Sequence, residues 1–255
     1  MHKYRLRYAK SGPARYASHL DLGRALGRAL RRAELPVAYS QGFHPLPKMA
    51  FGPPLPVGVE SEAEFLEITL TRELPAGEIA RRLNAVLPTG LVVMGVLPLP
   101  LKTPSLMSLI DRFTYLFFFT LPPAEAAGWN REKTAAFLAA LWEKEELPVV
   151  RKKEGGKEGK KQGGKEVNKE DGKQAGKEDG EKRVNLRSFW YDYNFSFIEQ
   201  DLLQVAVDVA YGPRGTLRPD ELVPFFPAGW QLQKVVRAEA WSRGEPVPPV
   251  AVQRG

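Results

Sequence analysis

Apolar residues along this chain alternate in some stretches and recur at helical spacing in others. Lys3–Tyr8 alternates and reads as a strand. From His19 to Leu35 the apolar positions Leu22, Leu26, Ala29, Leu30 and Ala33 fall on one side of a helix. Ser18 is its N-cap, with Asp21 three residues on as a shortened capping box, and Pro36 cannot continue it. Val37–Gln41 reads as a strand leading into a loop, and Glu64–Thr71 as a strand by strict alternation. Ala76–Leu87 is amphipathic, with Ile79, Ala80, Leu83 and Leu87 on one side, and Leu91–Val96 is a short apolar strand closed by prolines.

The second half repeats the pattern. Arg112–Leu121 is strand-like, Arg131–Glu145 is helical, and Val149–Lys152 can start a strand. Ser188–Phe197 places Phe189, Tyr191, Tyr193, Phe195 and Phe197 on one face, which we read as core. Leu203–Ala210 and Gln231–Trp241 are strands, with a short helix over Arg218–Phe226 between them. The expected fold is α+β, built as tandem ferredoxin-like (β-α-β-β-α-β) halves with antiparallel sheets. The boundaries are 1–110 and 111–243, with a Lys/Glu/Gly-rich insertion over 152–182 and a Pro-rich tail over 244–255. The insertion has almost nothing apolar to bury and is expected to be disordered, and the tail to be loose.

Composition narrows the setting. Across 255 residues there is no run of eighteen apolar positions, and MHKYRLRYAK is unlike a signal peptide. The expectation is a cytoplasmic protein without a membrane partner. No cysteine is present, which excludes disulfides and an iron–sulfur cluster held by this chain. With His2, His19 and His44 the only histidines, neither a metal nor a cofactor is expected.

Charge is uneven. Residues 1–55 hold ten Lys/Arg against two acids, a local net of +8 in a chain whose total is +7. Concentrated positive charge is the footprint of a nucleic-acid site, or of a docking patch for an acidic protein. Arg24, Arg28 and Arg31 share the helix side opposite its apolar face, and Arg15 just upstream extends that surface. Gly23 and Gly27, four apart, can admit another backbone or a ligand. The loop Ser40–Gly58 is stiffened by prolines and carries Gln41, Phe43, His44 and Lys48. No Walker spacing and no RNA-recognition aromatic signature occur. His19, at the first helical turn, and His44 are candidate general bases, and Lys48 is a candidate for stabilising negative charge.

The run HLDLGRALGRALRRAELPVAYSQGFHPLP…FGPPLPVG, with the later KTPSLMSLI, resembles the radical-SAM-linked family of bacteria over Tyr4–Leu109. In that family the domain is often fused to, or encoded beside, a radical SAM protein with a cobalamin-binding region. The resemblance implies a radical SAM partner more than a reaction. Three readings follow. One is an accessory module docking RNA or an RNA-associated substrate through Arg15, Arg24, Arg28, Arg31, Gln41, His44 and Lys48. Another is a metal-independent ribonuclease with His19 or His44 as base. The third is a structural subunit whose arginine helix docks on an acidic enzyme surface.

Overall fold

The computed structural model describes residues 1–122, 128–152, 181–199 and 201–249. The first half runs β1 (His2–Lys10), α1 (His19–Arg32), β2 (Met49–Phe51), β3 (Glu60–Leu70), α2 (Ala76–Asn84) and β4 (Leu91–Leu99). A one-turn helix, α3 (Leu106–Leu109), leads into β5 (Arg112–Thr120), α4 (Arg131–Trp142) and β6 (Pro148–Lys152). Then follow β7 (Glu181–Asn185), β8 (Trp190–Phe197), β9 (Leu202–Gly212), β10 (Gly215–Thr216) and α5 (Pro219–Leu222). The chain closes with β11 (Gln231–Ser242) and β12 (Glu245–Pro246).

Ten of these strands form one mixed sheet. In the first half the order is β4-β1-β3-β2, and every pairing is antiparallel. In the second half it is β11-β5-β9-β8, again antiparallel throughout. The halves meet where Val236 and Arg237 of β11 pair in parallel with Glu60 and Ser61 of β3. The α+β class holds, but the separate antiparallel sheets expected for the two halves are joined into one.

The sheet carries two cores. Tyr4, Leu6 and Tyr8 of β1 pack with Leu66, Ile68 and Leu70 of β3 beneath α1 and α2. Phe113, Tyr115, Phe117 and Phe119 of β5 pack with Leu203, Val205, Val207 and Val209 of β9 in the other core. Strand β3 serves both, since its Ala63 and Phe65 enter the second core. Leu22, Leu26 and Leu30 of α1 are almost fully buried, each worth about 1.5–3 kcal/mol of apolar transfer.

Several expectations change in detail. Helix α1 stops at Arg32, before Pro36. Glu34 takes a left-handed φ of 51°, and its amide donates to the Arg31 carbonyl while the Leu35 amide donates to Leu30. That is a Schellman closure with glutamate where glycine is usual. Val37–Gln41 is not a strand. Val37 and Tyr39 make isolated bridges only, and the ladder to β3 forms at Met49–Phe51, where alternation lets Met49 and Phe51 face α1. The helix expected over Arg218–Phe226 is one α turn followed by a 3-10 turn over Val223–Phe225.

In β8 a bulge between Trp190 and Asp192 buries Trp190 and turns Tyr191 out to 58% exposure. Tyr193, Phe195 and Phe197 still pack on the core. The insertion lies, over 153–180, outside the described residues, while its flanks pair as the β6–β7 ribbon. The tail is held rather than loose as far as it is described. β12 pairs with β11, Val247 is fully buried, and the Pro248 carbonyl accepts from Arg5.

Candidate functional site

The cap expected for α1 is present. The Ser18 hydroxyl accepts from the Asp21 amide at 3.1 Å and donates to the Asp21 carboxylate at 2.7 Å. That hydrogen bond, then the nearby Arg24, holds the Asp21 carboxyl below its ordinary value. The cap sets the register of α1, so Leu22 and Leu26 face the sheet while Arg24 and Arg28 face outward.

A groove of about 510 Å³ runs beside that outward face. One wall is His19, Leu20, Gly23, Arg24, Gly27, Arg28 and Arg31 of α1. The other is Tyr39, Pro45, Leu46, Pro47, Met49 and Phe51. The His19 ring meets Phe51 edge-on at 5.1 Å between centroids. The loop shaping the far wall is clasped at its base, where the Ser40 amide donates to the Leu46 carbonyl and the Leu46 amide to the Ser40 hydroxyl. Gly42 adopts a φ of 125° inside that clasp, a conformation natural only to glycine. Among the described residues no three His, Asp or Glu side chains come together as a metal-ligand set. No helix among the described residues is long and apolar enough to cross a membrane.

Gly23 and Gly27 sit inside α1, where each costs about 1 kcal/mol relative to alanine. A Cβ on Gly23 would meet the Phe51 ring at 3.8 Å, and one on Gly27 the Met49 methyl at 3.5 Å. Those are ordinary contacts with side chains, so close approach of another backbone does not explain these glycines. What they leave open is the groove.

The structure brings together His19, Arg24, Arg28 and Arg31, but not all of the residues read from sequence. Gln41, His44 and Lys48 are exposed on the loop and do not line the groove. Lys48 serves through its backbone, bonding Ala38 and Thr69 on either side. Arg15 is drawn away by Glu60 at 3.7 Å and lies over the Tyr16 ring. Sequence reasoning passed over Tyr39, Leu46, Met49 and Phe51. The alternation of Met49 and Phe51 was the available signal. Phe43, fully exposed at the tip of the loop, has no packing role in the fold.

Much of the basic excess of residues 1–55 is neutralised by acids distant in sequence. Lys3 and Arg5 share Glu67 at 2.7 and 2.8 Å, and Arg7 meets Glu239 at 2.7 Å. Lys10 is buried, donates to the Ala17 carbonyl at 3.0 Å, and is held below the usual lysine value by burial. The cations left facing solvent are those of α1 and its loop. Arg24 keeps a loose, exposed contact with Asp21 at 3.4 Å, while Arg28 and Arg31 have no acidic partner among the described residues.

A second cleft, of about 600 Å³, opens along Pro54–Val57 and is lined also by Tyr115, Tyr211, Asp220 and Arg237. Arg237 is 3% exposed. Its five N–H groups are all engaged, by the Tyr115 hydroxyl twice, the Pro53 and Pro54 carbonyls, and Glu64. It also stacks on Phe113 at 4.0 Å. Burial pulls its pKa down, but Tyr115 and Glu64 more than offset this and leave it raised. Arg237 is a clamp joining β3, β5 and the Pro53–Pro54 turn, with no donor to spare for a ligand.

Residues 3–219 match the model of the family described as "Uncharacterized protein conserved in bacteria (DUF2344)". The chain belongs to that family. No curated protein matches it. Among solved structures it is similar to one titled "Crystal Structure of a Cbf5-Nop10-Gar1 Complex", at 10% identity and a TM-score of 0.42. The match covers 93% of this chain and 48% of that one, so this chain spans about half the other's length.

Proposed function

We propose that this protein is an accessory docking module for RNA, or for an RNA-associated substrate, working beside a radical SAM enzyme. The observation that carries the docking reading is the α1 groove, whose arginine rim stands over an apolar floor. Phosphate contacts by arginine supply affinity without sequence preference. The radical SAM partner rests on the resemblance over Tyr4–Leu109 alone. The ribonuclease reading, with His19 or His44 as base, keeps His19 as its groove-lining candidate, since His44 does not line the groove. An acidic protein surface is the competing occupant of the arginine rim.

Each half is read here as a split βαβ unit. The support is the repeated antiparallel order, β4-β1-β3-β2 and β11-β5-β9-β8. On that plan α1 and its groove belong wholly to the first unit, and the second unit buttresses the loop through Arg237.

The test is binding of the purified chain to single-stranded RNA across a salt series, compared with Arg24→Ala/Arg28→Ala/Arg31→Ala. The expected result is weaker binding, with the slope of log K against log salt reduced by about 2 for three lost contacts. Binding and slope unchanged in the triple variant would overturn the reading.

A further inference from the structure

We propose that the groove beside α1 receives an unpaired nucleobase, with its flanking phosphates on Arg24, Arg28 and Arg31. This deepens the docking reading and rests on it. The groove combines two chemistries. Where α1 meets the second wall its floor is apolar and partly aromatic, formed by Met49 and Phe51, with the exposed Leu46 at its edge. Its rim is cationic, and two of its three arginines have no acid to answer them among the described residues. A bare phosphate would satisfy the rim and leave the floor wet. An apolar helix would fill the floor and strand the arginines. A base on a phosphodiester backbone meets both at once.

Geometry supports the same occupant. Arg24 and Arg28 lie one turn apart on α1, about 6 Å along its axis, so they can meet successive phosphates of an extended strand. The groove volume, about 510 Å³, lies within the range of small-ligand clefts, which run from about 300 to 1,000 Å³. Gly23 and Gly27 line the groove beside Phe51 and Met49, and a methyl added at either would pack in ordinary contact with those side chains and take up groove space without straining the fold. A duplex keeps its bases stacked inside and offers the groove phosphates alone, so the site should discriminate single strands from double.

The experiment measures anisotropy of a short fluorescein-labelled single-stranded RNA, and of the same sequence annealed to its complement, at one fixed salt. The proteins are the wild-type chain, Gly23→Ala/Gly27→Ala, and the triple arginine variant. Melting temperature is followed for each. The expected result is tighter binding of the single strand by wild type. The glycine variant should melt higher, yet bind the single strand more weakly by about fivefold or more. Unchanged single-strand binding in the glycine variant, or equal binding of the duplex by wild type, would overturn the base-in-groove inference. If the arginine variant still loses affinity in that case, the docking reading survives. A lower melting temperature in the glycine variant would also overturn the inference, because the glycines would then be serving the fold.

Discussion

Removing the Arg237 guanidinium should unfasten the junction between the two halves. Arg237→Ala leaves the Glu64 carboxylate without its partner at 7% side-chain exposure. It also takes donors from the Pro53 and Pro54 carbonyls and from the Tyr115 hydroxyl. Breaking a buried ion pair from one side costs about 3–5 kcal/mol, since the remaining charge is stranded away from water. The turn carbonyls can rotate toward solvent, so we assign them little of the total and expect a loss of about 4 kcal/mol. Against a usual stability of about 5–15 kcal/mol this is severe.

The assay is equilibrium urea unfolding, with Arg237→Met/Glu64→Leu as the informative companion. That double change removes both charges and keeps apolar volume, so it should recover most of the loss. Hydrogen exchange at the Gly58 amide, which donates to the Arg15 carbonyl at 2.9 Å, reports whether the loop is released. A cost below about 1 kcal/mol for Arg237→Ala, or a double variant no more stable than the single one, would refute the clamp.

Two other outcomes follow from the structure. Gly90→Ala should destabilise by about 2–4 kcal/mol in thermal unfolding, because Gly90 has a φ of 89° and a Cβ there would lie 2.3 Å from the Ser11 carbonyl oxygen. A loss within experimental error would show that the Ser11–Gly90 contact relaxes freely. The phenols of Tyr8 and Tyr115 are raised above the ordinary tyrosine value of 10.0, chiefly by burial. Folding therefore favours the neutral phenol. The contribution of these two phenols to stability is present in full below pH 10 and is lost as pH rises through their raised folded values. Phenolate absorbance should show these tyrosines ionising together with loss of circular dichroism, and smooth titration of all eight tyrosines in a folded protein would contradict this.

The elements whose identity depends on near neighbours were legible in the sequence. The α1 cap, its buried face and its arginine stripe all follow from spacing within one helix, and local hydrogen bonds and helical periodicity leave little for the rest of the chain to change. The loop was harder. Val37–Gln41 has the residue types of a strand, but strand formation needs a partner in register, and β3 found Met49–Phe51 instead. The same dependence hid the Tyr191 bulge, which exists only in relation to β9.

Charge shows the division most clearly. By itself the sequence determined that ten cations cluster in residues 1–55, and which of them share a helix side. Only the tertiary structure decided which are available. Arg5 and Arg7 look like the solvent side of an alternating strand, yet the carboxylates that bury them, Glu67 and Glu239, arrive from β3 and β11. Arg15 is likewise claimed by Glu60. An ion pair forms between groups brought close in space, and separation along the chain says nothing of that distance. The groove has the same origin, because a concave surface is made by two segments meeting. α1 was readable from its own periodicity, while the strand that completes the site was placed by its pairing to β3.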